Sequence, residues 1–217
     1  MEFNIKLFIR FFDKFLDGYV LTIEYALIGM VLSLILGTVI GLVLSLKPRI
    51  ISPILRAYIT FFRETPLIVQ MYLLYYGLPY YGILLSAPAA GLLGILLNES
   101  AFIAEIVRGG IEALGPGQRK AALSLGFSPL ESLLRVELPQ TLRSIAPAIT
   151  NQLSYILQDT ALFTMITIPE LTTAARAINS KYLIPGTAFI GAALFYIATF
   201  WVIQLVSNAI QRRRKWN

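Results

Sequence analysis

A chain of 217 residues that is 57% hydrophobic and only 14% charged, with a mean hydropathy of +0.71, falls outside the range of ordinary soluble domains, which carry about 25% charged residues. The formal net charge of +6 is not a nucleic-acid footprint, because the basic residues lie between apolar stretches instead of forming one patch. The apolar, charge-poor composition predicts an integral membrane protein, expected to be all-α, and with no Cys and no His it excludes disulfides, thiolate or imidazole metal sites and Ser-His-Asp chemistry.

The leading segment, 1–17, mixes both charge signs and has no small-residue cleavage site, so the first span is expected to act as its own uncleaved targeting signal. Phe8, Phe11, Phe12 and Phe15 share a helical face, with Lys6, Arg10, Lys14 and Asp17 largely opposite. That pattern predicts an N-terminal interfacial helix, a soluble amphipathic tail being the plainer alternative. A bilayer core takes about 20 apolar residues per helix. Five stretches qualify, at about 19–46, 66–85, 87–107, 145–168 and 188–210, and they form a single transmembrane domain over 1–217 with no internal repeat. Along the first span Gly29, Ser33, Gly37 and Gly41 make a small-residue stripe for close helix packing. The uncharged run Thr65 to Asn98 is too long for one span, and Gly77 with Pro79 supplies the break.

Five spans place the termini on opposite sides. With the C-terminus cytoplasmic, the inner segments hold Lys47, Arg49, Arg56, Arg63, Arg108, Arg119, Lys120, Arg135, Arg143 and the Arg212 to Lys215 cluster. Lys6, Arg10, Lys14, Arg176 and Lys181 lie outside, the N-terminal three voting against the majority.

Between the third and fourth stretches sits a charged, helix-breaking block, Gly117 to Gln140. Gln118 to Leu125 reads as a short helix ended by Gly126 in the left-handed conformation. Ser128, Pro129 and Glu131 spell a capping box opening a second helix, with Leu130, Leu133 and Leu134 on one face and Pro139 closing it.

This block resembles the EAA loop of ABC-importer permeases, whose pattern is E-A-A, three residues, G, nine residues, I-x-L-P. Lys120, Ala121, Ala122, Gly126, Val136, Leu138 and Pro139 match its spacing throughout. Arg63 to Gln70 (RETPLIVQ), Ala104 to Ile111 (AEIVRGGI) and Gln158 to Leu162 (QDTAL) are similar to the polar amino-acid branch of that family, with arginine and other basic amino-acid permeases the nearest type. One departure stands out: Lys120 occupies the position where the family has Glu, so no contact of that Glu transfers. The resemblance implies a membrane subunit that carries no cofactor, with ATP and Mg bound by a separate ATP-binding cassette subunit docked on Lys120, Ala121, Ala122, Gly126, Leu138 and Pro139. It also implies a second permease copy or paralogue, an extracytoplasmic substrate-binding protein, an amino-acid substrate, surrounding cell-membrane lipid, and alternating access driven by the ATPase.

Ionisable groups at membrane depth are costly unless they line a cavity or find a partner. Glu24 and Glu105 lie near span ends, and Glu105 can pair with Arg108 at i, i+3. Glu99 and Asp159 lie near mid-span beside polar residues, which makes Asn98, Glu99, Asp159, Thr160 and Gln70 the candidate substrate-binding set. Two carboxylates favour a guanidinium or ammonium group, hence arginine, lysine or protonated histidine. A structural alternative has these acids tying helices together through Asn151, Gln152 or Gln70. No catalytic constellation is present, and GPGQRK at Gly115 to Lys120 has the wrong spacing for a phosphate loop. The rival function is an ion-coupled secondary transporter or channel using Glu99 and Asp159. Such folds show inverted repeats and need no docking helices, the reverse of what is seen here.

Overall fold

A computed structural model describes residues 2–214, with side chains through residue 209, and all regular structure among them is helical. In chain order the α-helices are α1 (Ile5–Arg10), α2 (Phe12–Ser45), α3 (Ile51–Glu64), α4 (Leu67–Tyr72), α5 (Ala87–Ala113), α6 (Pro116–Ser124), α7 (Pro129–Glu131), α8 (Leu138–Asp159), α9 (Leu171–Tyr182) and α10 (Pro185–Arg214). Three helices among the described residues are long and apolar enough to cross a membrane: Phe12–Ser45, Ala87–Ala113 and the Pro185–Ala209 part of α10. They contain the first, third and fifth expected stretches. Lys215 and the side chains of Arg212 to Arg214, counted above as part of the cytoplasmic cluster, lie outside the described residues.

The other two expected spans differ from single apolar α-helices. Over 66–85 the chain changes gauge, from α4 to a π-helical turn at Leu73–Gly77 and a 3₁₀ turn at Leu78–Tyr81, ending at Gly82 with φ 78°. Pro79 explains the change: it cannot donate to the carbonyl four residues back, so the ladder shifts around it. Over 145–168 the α-helix stops at Asp159 and a 3₁₀ segment, Thr160–Ile166, follows. Asn151, Gln152, Gln158 and Asp159 lower its hydropathy, which is why α8 falls outside the apolar set.

The residues divide into two compact units, one of Met1–Met30, Ile68–Gly94 and Leu153–Asn217, the other of Val31–Leu67 and Ile95–Gln152. In the first unit, Asn4 caps α1 by accepting from the Lys6 and Leu7 amides, and the chain bends at Phe11 before entering α2. The expected interfacial helix over 1–17 is therefore corrected. It is a one-and-a-half-turn α1 followed by the start of the first long helix. Its aromatic face is split: Phe11 and Phe15 are buried with Leu171, Ala175 and Ile178 of α9 and Ala188 and Ala192 of α10, Phe8 is partly buried against them, and Phe12 is exposed. The rings form an aromatic cluster, with Phe8 5.5 Å from Phe15 and Tyr19 5.0 Å from Phe195, a geometry that contributes beyond the area it buries. The exposed stripe of this segment is Ile5, Ile9, Phe12, Leu16 and Val20. Glu170 is fully buried and caps α9, accepting from the Thr172 and Thr173 amides at 2.7 Å each.

In the second unit the small-residue stripe finds its partner, the C-terminal half of α5. A Cβ on Gly37 would lie 2.7 Å from the Ser100 carbonyl oxygen, and one on Gly41 2.8 Å from that of Ala104. The helices meet backbone to side chain there, around a cluster of Ile40, Leu44, Ile59, Ala101 and Ala104. Ile59 belongs to α3, an amphipathic helix lying between the first two expected spans. Gly41→Val should therefore lower stability by about 1 to 3 kcal/mol through overpacking, while Ile35→Ala, on an exposed face of α2, should stay within about 0.5 kcal/mol. Thermal unfolding in detergent followed by size-exclusion chromatography measures both; equal midpoints would contradict this packing.

Candidate functional site

The Gly117 to Gln140 block folds locally as its sequence signals dictate, up to its end. Helix α6 stops in a Schellman-type turn, with the Phe127 amide donating to the Ala122 carbonyl at 3.2 Å across Gly126, whose φ is 87°. Nothing lies within 4 Å of a Cβ built at Gly126, so its size is set by the left-handed backbone and not by crowding. The capping box is complete: the Glu131 amide donates to the Ser128 hydroxyl, and the Ser128 amide donates back to the Glu131 carboxylate at 3.0 Å. Donation from the Ser128 amide, and then from its hydroxyl at 2.8 Å, holds the Glu131 carboxyl below its ordinary range.

Pro139 does not close the second helix. A π-helical segment, Ser132–Glu137, follows α7 directly and runs into α8, where Pro139 occupies the first turn, the place in which a missing N–H is tolerated. Leu138 is half-buried and Pro139 exposed. Ala121 and Lys120 face outward, whereas Ala122 is 3% exposed and faces the protein, so Ala122 belongs to the packing of the loop and Ala121 to its surface.

Beneath α6 lies a contact that sequence reasoning missed. Glu137 is buried, and its Oε1 accepts from Arg119 Nε at 2.9 Å and from the Ser132 hydroxyl at 2.9 Å. Arg119 also donates from Nη1 to the Ser45 carbonyl of α2 at 3.2 Å. One guanidinium thus joins the short helix, the π-helical segment and the end of the first long helix. The available signal was the cation and the acid flanking a helical hairpin turn.

The candidate substrate-binding residues are distributed over both units. Gln70 is buried in α4, and Thr160 is fully buried with its hydroxyl donating to the Leu157 carbonyl at 2.7 Å; Asp159, half-buried, ends α8. These three belong to the first unit, and Asn98 and Glu99 to the second. Glu99 is only 2% exposed, and its Oε2 accepts from Gln152 Nε2 at 2.7 Å, the kind of helix-tying bond weighed above. Asn98 and Ser100 turn toward α3: Asn98 Nδ2 donates to the Phe62 carbonyl at 2.7 Å, and the Tyr58 hydroxyl lies 2.7 Å from both the Leu97 carbonyl and the Ser100 hydroxyl. Three consecutive positions on α5 thus split between two neighbours. Glu105 pairs with Arg108, which also reaches Glu112 at 2.6 Å, so this acid is satisfied on its own helix.

Comparison with known proteins agrees with this architecture. The family model described as "binding-protein-dependent transport system inner membrane component" matches residues 29–214. The chain is 37% identical over 97% of its length to the probable amino-acid ABC transporter permease protein YckA of Bacillus subtilis (strain 168), covering 93% of that protein. It is 32% identical over 91% of its length to the probable glutamine ABC transporter permease protein GlnP of the same organism, covering 92% of it. Among solved structures, a crystal structure of an amino acid ABC transporter with histidines superposes with a TM-score of 0.89 at 29% identity, over 98% of this chain and 100% of that one. An all-helical chain built on long apolar helices, with an EAA-type loop in its middle and matches over nearly its whole length, belongs to the family of binding-protein-dependent transport system inner membrane components, as an amino-acid ABC transporter permease.

Proposed function

We propose that this chain is one half of the translocation path of an importer for polar, basic amino acids, working by alternating access. The observation that carries the reading is Glu99, an acid buried at 2% exposure in a long apolar helix, where an acid is costly without a function or a partner. Its bond to Gln152 fixes where the side chain points. A cationic substrate group suits a carboxylate held in this way, and Asp159, Asn98, Thr160 and Gln70 are the other residues whose chemistry fits the polar part of such a ligand. The solved relative described with histidines is consistent with a basic ligand, and the glutamine permease relative marks the competing neutral class.

In this reading the broken segments at 66–85 and 145–168 join the three long helices as a five-span bundle with the C-terminus cytoplasmic. A second copy or a paralogue completes the path. An extracytoplasmic binding protein delivers the amino acid, and two ATP-binding subunits, which hold the ATP and Mg, dock on the Gly117 to Gln140 loops. The Arg119 bonds then give a rigid link, so that movement of the docked α6 is carried to the end of α2.

Asp159→Asn keeps shape and removes charge. A charge-assisted hydrogen bond contributes about 1.5 to 3 kcal/mol, so uptake of arginine or lysine should weaken roughly 10- to 100-fold with the complex intact. Glu99→Gln should do the same, and the double variant should be less than additive if both acids hold one group. Radiolabelled uptake in proteoliposomes is the readout, and normal affinity for basic amino acids in both single variants would leave these acids a purely structural role.

Orientation has its own check, helped by the absence of native cysteine. Ser124→Cys, at the exposed end of α6, should react with an impermeant thiol reagent only from the cytoplasmic side, and Ser180→Cys, exposed on α9, only from outside. Reversed labelling would turn the topology, and the docking site with it, to the other face.

A further inference from the structure

The outward surface of the docking loop has an unusual balance of charge and apolar area. Leu123, Leu125, Leu130 and Leu134 are all between 42% and 79% exposed, a concentration of large apolar side chains that signals a surface meant to be covered. The block carries five charged residues: Arg119, Lys120, Glu131, Arg135 and Glu137. Glu137 is committed to Arg119 and Ser132 beneath the loop, whereas Glu131 caps the second helix through Ser128 and keeps its charge at the surface, four residues before Arg135. Arg119 is committed with Glu137. The outward cations are Lys120 and Arg135, both exposed, and neither makes an ion pair within 4.0 Å among the described residues.

Lys120 and Leu123 stand at i, i+3 on α6, hence side by side on one face, and Arg135 follows Leu134 directly. Covering the leucines therefore brings both cations to the edge of the covered area. A cation desolvated there without a counter-charge costs several kcal/mol, and a basic partner surface would add repulsion. We propose that the ATP-binding subunit of this importer meets the loop with an apolar cleft rimmed by carboxylates, an acidic residue facing Lys120 and another facing Arg135. This inference rests on the docking reading given above, and it adds the chemistry of the partner surface.

The test uses the complex, with the ATP-binding subunit that co-purifies with the chain in detergent. Its affinity for the wild-type chain, titrated between low and high NaCl, should fall as salt rises. Lys120→Glu with Arg135→Glu should weaken binding by about 10-fold or more at low salt and remove or invert the salt dependence, while Lys120→Met with Arg135→Met should flatten the salt dependence with a smaller loss. Leu130→Asp, which strikes the apolar part, should weaken binding at every salt concentration. If the double charge reversal binds like wild type while Leu130→Asp does not, the acidic-rim proposal is overturned and docking on this loop stands. If all variants bind like wild type, or no ATP-binding subunit co-purifies, the docking reading fails and the rim proposal falls with it. Retained fluorescence-detected size-exclusion profiles for each variant separate lost binding from lost folding.

Discussion

A carboxylate as deeply buried as that of Glu137 is several kcal/mol unfavourable unless its charge and lone pairs are met. Arg119 and Ser132 meet them, and in doing so they decide how the polar loop attaches to the membrane helices. Because Arg119 reaches the Ser45 carbonyl as well, α6 cannot move without either breaking a buried charge pair or carrying the end of α2 with it. The remaining features of the loop keep that geometry in place. The Gly126 turn folds the chain back, the capping box starts the next helix at a fixed residue, and Ala122 is small where α6 meets the protein. The loop is thus tied to the end of α2 at one buried point and has an apolar outer surface.

The same logic of satisfying polar groups organises the helices. Asn98 and Ser100 hold α3 against α5 through backbone carbonyls and the Tyr58 hydroxyl, and Glu99 between them reaches to Gln152 of α8. Helix packing in lipid gains little from apolar contact alone, so close backbone approach and hydrogen bonds of this kind carry the specificity. Gly37 and Gly41 supply the approach, and the Asn98 to Ser100 run supplies the bonds. A buried acid flanked by two residues that serve the architecture is held in a precise place.

Much of this was legible in the residues. Hydropathy located the three long helices, and the Gly126, Ser128, Pro129 and Glu131 signals located the loop's turn and cap, because those signals are local and depend on backbone geometry alone. What escaped depends on contacts distant in sequence. The Phe face of 1–17 looks the same whether it meets lipid or protein, and only the presence of α9 and α10 decides it. Helix α3 hid behind Arg56 and Arg63, although the stripe it packs inward, buried Ile59 with the partly buried Leu55, Tyr58 and Phe62, has helical spacing. Pro139 reads as a stop, yet a π-helical turn before it lets the helix restart with the proline in its first turn. The Arg119 to Glu137 pair was written in plain residues, but pairing across a turn is not decided by spacing.

The central claim, that this chain moves an amino acid only as part of an ATP-driven assembly, is most directly tested by reconstituted transport. The chain in proteoliposomes, together with its co-purifying ATP-binding subunit and the cognate extracytoplasmic binding protein, should accumulate labelled arginine or lysine only when all components and hydrolysable ATP are present. Accumulation by the chain alone, driven by a proton or sodium gradient and indifferent to ATP, would contradict the account.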